Sequence, residues 1–237
     1  MALPILNDAP KYVTRLPSTG KEVKFRPFLV KEQKNLLIAL ESKDLDQIII
    51  SMLDCVEACS QDVDAFSIPT FDADYLFAQI RSKSVGETTE IMTKCVHCEG
   101  ENRVKIDVSS IKMDIEPLQN NEIELTNNIK LKLKYPTYND MIAAKAYDLD
   151  IDSGTRIIKS VISCFDCVLT EDEVISFKDE TEDAIVAFVE SLTTSQLDEI
   201  IEFTDNLPKL EHEEPFTCVA CREQNTLRLE GLNDFFQ

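Results

Sequence analysis

Cys95-Val96-His97-Cys98 and Cys218-Val219-Ala220-Cys221 constrain this chain more than any other feature. Each is a Cys-x-x-Cys pair, and 119 residues separate them. A two-residue spacer lets both thiolates of a pair turn toward one point. Two such pairs supply the four sulfurs of a closed tetrahedral site, so Cys95, Cys98, Cys218 and Cys221 are the expected ligands of one structural Zn2+. The surroundings of the pairs also match. Residues 95–107 align without a gap on residues 218–230, and each segment places an Asn (Asn102, Asn225) four residues past its second Cys. Both then alternate apolar and charged residues, Val104 and Ile106 in one and Leu227 and Leu229 in the other, which reads as a strand with one covered face. Each segment therefore reads as a zinc knuckle, a tight turn leading into a β-strand.

The alternatives are exposed thiol pairs, disulfides or a redox motif. A thioredoxin-type motif needs its pair at the start of a helix in a βαβ setting, and here strands follow. The N-terminus, Met-Ala-Leu-Pro-Ile-Leu-Asn-Asp, shows no basic segment followed by an apolar one. No apolar run approaches the roughly 18 residues of a membrane span. The reading is a reducing cytosol, where Cys pairs bind metal.

The net charge of −20 argues against nucleic acid, because phosphate binding needs clustered Lys and Arg. The charge is uneven. Residues 1–43 carry eight Lys/Arg against four Asp/Glu, whereas residues 171–214 carry fifteen Asp/Glu against two Lys. Such asymmetry suits oriented docking to other proteins; a solvated acidic surface that keeps the chain soluble is the plainer alternative.

The chain also repeats itself. Residues 16–82 align ungapped with 125–191 at an offset of 109, with 12 of 67 positions identical, Leu16, Pro27, Ile48, Ile49 and Cys55 among them. The knuckles sit at an offset of 123, so the second copy has 14 extra residues before its Cys pair. The fold class expected is α+β with an internal duplication: each copy a β-hairpin, three helices and a zinc-knuckle strand pair, the copies joined by one four-cysteine zinc site. Convergence of two similar helical patterns is the alternative. The expected divisions are an N-terminal arm (1–11), a first repeat (12–112), a linker (113–120) and a second repeat (121–237).

In the first repeat, Tyr12–Leu16 and Lys21–Phe28 form a hairpin around Pro17-Ser18-Thr19-Gly20. Helices follow over 31–42, over a stripe from Leu45 to Cys59, and over 73–83 with Thr70 or Asp72 as cap. A strand over 88–94 enters the first knuckle. In the second repeat, Asn127-Asn128 is a positive-φ hairpin turn before the alternating arm Ile129–Pro136. Thr137 and Asp140 form a capping box for a helix to about 148, and a stripe from Ile157 to Val168 reads as one helix. Thr181 or Glu182 opens the next helix. The insertion over 194–208 is an extra acidic helix, capped by Ser195 with Asp198 and stopped by Pro208.

Catalytic machinery is not legible. Cys55, Cys59, Cys164 and Cys167 lie on or beside buried stripes and read as core thiols, with a second metal site as the minor alternative. His212-Glu-Glu214 before Cys218 superficially matches a zinc deaminase signature, but its spacing is wrong. With two His in the chain, no Ser/His/Asp set can be argued.

The stretch Val23-Lys-Phe-Arg-Pro-Phe-Leu-Val-Lys-Glu-Gln-Lys-Asn-Leu-Leu-Ile-Ala39 resembles the baseplate hub and hub-assembly proteins of T-even-type contractile-tailed bacteriophages. Their N-terminal segment likewise runs from a hairpin through an Arg-Pro step into a Lys/Glu-rich helix. The resemblance implies a late viral protein without catalytic residues. It would bind other hub or tail proteins in the host cytoplasm during tail assembly, staying in the hub or leaving as an assembly factor. A zinc-ribbon adaptor acting on a host or phage regulatory complex is the alternative.

Overall fold

The computed structural model describes residues 9–108, 113, 121–147 and 151–230. Most of the expected arm (1–11) and linker (113–120) lies outside these residues. The chain divides into two compact units: Met1–Ala65 with Phe71–Ile115 and Lys209–Gln237, and Phe66–Thr70 with Glu116–Pro208. Among the described residues there are seven α-helices and four antiparallel sheets. No described helix is long and apolar enough to cross a membrane.

The first unit opens with the hairpin of β1 (Tyr12–Arg15) and β2 (Glu22–Phe25), paired Tyr12 to Phe25 and Arg15 to Glu22. Gly20 takes φ +68° in the turn, where any Cβ would be strained. The alternation of β2 buries Val23 and Phe25. Helices α1 (Val30–Ser42) and α2 (Leu45–Cys59) follow. The Asp44 carboxylate accepts from the N–H groups of Asp46 and Gln47 and starts α2. The C-terminal half of the α2 stripe is covered, with Met52, Leu53, Cys55, Val56 and Cys59 all buried, while Leu45, Ile48 and Ile49 are half-buried. Helix α3 (Thr70–Val85) buries Phe71, Leu76, Phe77 and Ile80. Asp72 is not its cap. It lies inside the first turn, fully buried, and accepts from Ser18 of the β1–β2 turn.

Two long hairpins complete this unit. β3 (Thr88–Lys94) pairs with β4 (Glu101–Asp107), and β9 (Glu211–Thr217) pairs with β10 (Gln224–Glu230). Ile91, Val104, Ile106 and Val108 form one apolar cluster with Ala78 of α3 and with Leu210 and Leu229 of the C-terminal hairpin. The last hairpin of the chain is thus built into the first compact unit, 123 residues after its counterpart, with strand limits that correspond residue for residue.

The second unit is a four-stranded sheet of order β5 (Glu122–Thr126), β6 (Ile129–Leu133), β7 (Phe165–Leu169), β8 (Val174–Ser176). Its helices are α4 (Tyr138–Ala143), α5 (Ser153–Ser163), α6 (Glu182–Glu190) and α7 (Thr194–Asp205). Leu131, Leu133, Val161, Phe165 and Ile200 are enclosed in its apolar core. Burying each such side chain stabilises by about 1.5–3 kcal/mol.

Here the structure corrects several expectations. The stripe from Ile157 to Val168 is not one helix: α5 stops at Ser163, and Phe165–Leu169 is β7, one of the two inner strands of the sheet. Leu133 pairs with Phe165 and Leu131 with Val168, so the apolar run serves the sheet. The second half accordingly holds two strands, β7 and β8, that were not expected, whereas its fourth helix, α7, lies in the expected insertion over 194–208. Asn127 and Asn128 turn the hairpin without positive φ, and a register shift between Glu124 and Thr126 absorbs the irregularity. The Thr137–Asp140 capping box forms, but α4 ends at Ala143, where Lys145 takes φ +54°. Helix α7 is capped by Thr193 with Gln196, two residues before the expected Ser195.

Candidate metal centre

The turn of each long hairpin carries one Cys pair, and both turns have the same backbone. Cys95 N donates to Gly100 O and Cys218 N to Glu223 O, each at 2.9 Å. Glu99 N donates to Cys95 O and Arg222 N to Cys218 O, at 2.9 and 3.0 Å. Glu99 and Arg222 both take left-handed φ, +57° and +63°. This tight turn lifts two sulfurs of each loop to one side.

The four sulfurs converge. Cys95 and Cys221 are 3.6 Å apart, Cys98 and Cys218 are 3.7 Å apart, and all four Sγ atoms lie within 4.8 Å of one another. Thiolates around a tetrahedral Zn2+ at about 2.3 Å stand about 3.8 Å apart, so the donor set fits such an ion. Cys95 and Cys218 are buried, whereas Cys98 and Cys221 are exposed. The cluster falls wholly within the first compact unit. The four cysteines can therefore hold a metal ion, with every ligand position supplied by protein sulfur.

Electrostatics favour charge on the buried sulfurs. The backbone N–H of Cys221 pulls the Cys218 thiol down to about 6 against the effect of burial, helped by Ala220 N–H and the Asn102 amide. For Cys221 the Glu223 N–H lowers, but burial and the three neighbouring sulfurs win and push it up to about 12. Four sulfurs this close do not all ionise without a cation among them.

Gly100 is where the knuckles nearly touch. A Cβ there would stand 3.3 Å from both the Ala220 Cβ and the Cys98 Sγ. Asn102 and Asn225, buried at matching positions, each accept a backbone N–H from the opposite knuckle. Their shared position is visible in the sequence. Their crossing partners are not.

A family model described as T4 bacteriophage base plate protein matches residues 9–237. The chain belongs to this family. No curated protein matches the chain, and no solved structure does. For this base plate family member the other sequence candidates fall away from the cluster. Cys55, Cys59, Cys164 and Cys167 are buried, and among the described residues they join no group of metal-ligating side chains. Burial pushes the Cys164 thiol up to about 12, which keeps it a neutral core group. His212 lies on β9, where its Nε2 is 3.1 Å from Glu214 Oε2, and it is not part of the thiol group.

Proposed function

We propose that this base plate protein is a non-enzymatic component or assembly factor of the baseplate hub. It works by binding other hub or tail proteins in the host cytoplasm during tail assembly, with one structural Zn2+ held by Cys95, Cys98, Cys218 and Cys221. The observation that carries this reading is the four-thiol cluster in a chain of the base plate family. With four sulfur ligands the metal keeps no open position for substrate or water, so its contribution is a cross-link. Metal binding at such sites contributes on the order of 10 kcal/mol to folding.

The same reading includes the duplication. Repeats over 12–112 and 121–237 each contribute one half-site, and a metal between them makes two incomplete knuckles into one centre. The equal strand lengths of the two long hairpins, at a constant offset, support it.

Three measurements test the proposal. Elemental analysis of the purified chain is expected to give one zinc per chain. Affinity capture from phage-infected cells is expected to recover hub or tail proteins, and mass spectrometry of purified tails tells a resident hub subunit from a factor that departs. Capture without any tail protein would sink the assembly role.

A further inference from the structure

Asn102 and Asn225 do more than fill space between the knuckles. Each amide spans two loops. Asn102 Nδ2 donates to Gly100 O of its own loop at 2.8 Å, while its Oδ1 accepts from Val219 N of the other knuckle at 2.9 Å. Asn225 Nδ2 donates to Glu223 O at 3.0 Å, and its Oδ1 accepts from Val96 N at 3.0 Å. Val96 and Val219 are the residues directly after Cys95 and Cys218. The exchange therefore fixes where one Cys pair stands relative to the other, through atoms that are not sulfur.

The chemistry requires an amide. A carboxylate offers acceptors only, and would set an oxygen against the Gly100 or Glu223 carbonyl. Both side chains are buried, at 3% and 7% exposure, so an unmet partner there is costly.

The equivalence breaks at one point. Asn102 Nδ2 also lies 3.6 Å from Cys218 Sγ. No corresponding contact from Asn225 to a ligand sulfur exists among the described residues. An N–H aimed at a thiolate withdraws some of its charge and makes it a weaker donor to a metal.

We propose that Asn102 and Asn225 are positioning residues for the metal: their crossed amide links assemble the four-thiol site, and Asn102 alone also tunes the Cys218 ligand. This rests on the metal reading above. Outer partners of metal ligands typically change affinity by about 10–100-fold when removed. Both asparagines belong to that class, and only Asn102 carries an electronic effect.

The test uses the full chain, with Zn2+ affinity from chelator competition and Co2+ as the spectroscopic probe. Wild-type protein is measured first; if it binds neither ion, the metal reading falls and this inference with it. Given wild-type binding, Asn102→Ala and Asn225→Ala are each expected to weaken Zn2+ by about 10–100-fold. Asn102→Ala is expected to move the sulfur-to-cobalt charge-transfer band to lower energy, and Asn225→Ala to leave it in place. Asn102→Asp keeps the size and the acceptor but loses the N–H and sets an oxygen against the Gly100 carbonyl, so it is expected to show the same direction of band shift at a greater cost in folding, read by circular dichroism. Unchanged affinity in both alanine variants, or identical spectra for the variants at the two positions, would overturn the inference while leaving the metal site standing.

Discussion

Ser18 donates twice to Asp72, through its backbone N–H at 2.9 Å and through its hydroxyl, across 54 positions of sequence. The pair ties the β1–β2 turn to the first turn of α3. Burial pushes the Asp72 carboxyl above the usual range, and the two bonds from Ser18 only partly oppose it. A folded-state value above the unfolded one means the protonated form is favoured in the fold. Its stabilisation is full below the unfolded value and is lost as pH rises through the folded one. Asp72→Asn is expected to flatten this part of the pH dependence in denaturant titrations. Asp72→Ala removes the partner of a part-buried N–H and is expected to cost about 1 kcal/mol. An unchanged pH slope in the Asn variant would show that another group titrates.

Glu32 carries the opposite sign. Burial raises its carboxyl, but the Arg26 guanidinium at 3.0 Å, the Leu29 N–H and Lys31 outweigh that and hold it below the usual range. Its stabilisation is present above the unfolded value and is lost as pH falls through the folded one. Glu32 also accepts the Leu29 N–H at the start of α1, at 2.8 Å. Glu32→Gln is expected to lose about 1–2 kcal/mol at neutral pH and little in acid. Equal losses at both pH values would contradict this.

How far a pattern could be read depended on whether its partner was local. The knuckles were legible because a spacing of two residues fixes sulfur geometry wherever the loop lies. Helix α2 was legible because Leu45 to Cys59 forms one unbroken stripe. The stripe from Ile157 to Val168 misled because a short apolar run fits a buried helix or a buried strand equally well. What decided it was Leu131 and Leu133, some thirty residues earlier, which face Val168 and Phe165 across the sheet. Asp72 looked like a cap for the same reason: the Ser18 that claims it is far away in sequence. Asn102 was visible as a shared position, but its meaning lay in Val219, 117 residues on.

Metal removal should act on one compact unit and spare the other. Treatment with a strong chelator is expected to raise hydrogen exchange in β3, β4, β9 and β10, whose connecting turns carry the thiols, and to leave β5, β6 and β7 protected. Uniform loss of protection throughout would count against a metal confined to the first unit.

The contact at Gly100 gives a paired test. Gly100→Ala puts a methyl 3.3 Å from the Ala220 Cβ and the Cys98 Sγ, and is expected to weaken metal binding without loss of helical signal. Ala220→Gly removes one of the two obstructing atoms and is expected to restore part of the affinity in the double variant. Additive losses would mean that the two loops do not press on each other there.

The route of the chain through its first unit has a consequence for synthesis. A ribosome completes Cys98 well before the segment carrying Cys218 exists, and in between it makes every residue of the second unit from Glu116 to Pro208. The nascent first half therefore waits with two unmatched thiols and an uncovered apolar face at Ile91, Val104 and Ile106, while the later-made unit has all its own strands in hand. The β9–β10 hairpin, made after all of these, brings Leu210 and Leu229 and is the piece that closes what was begun earlier.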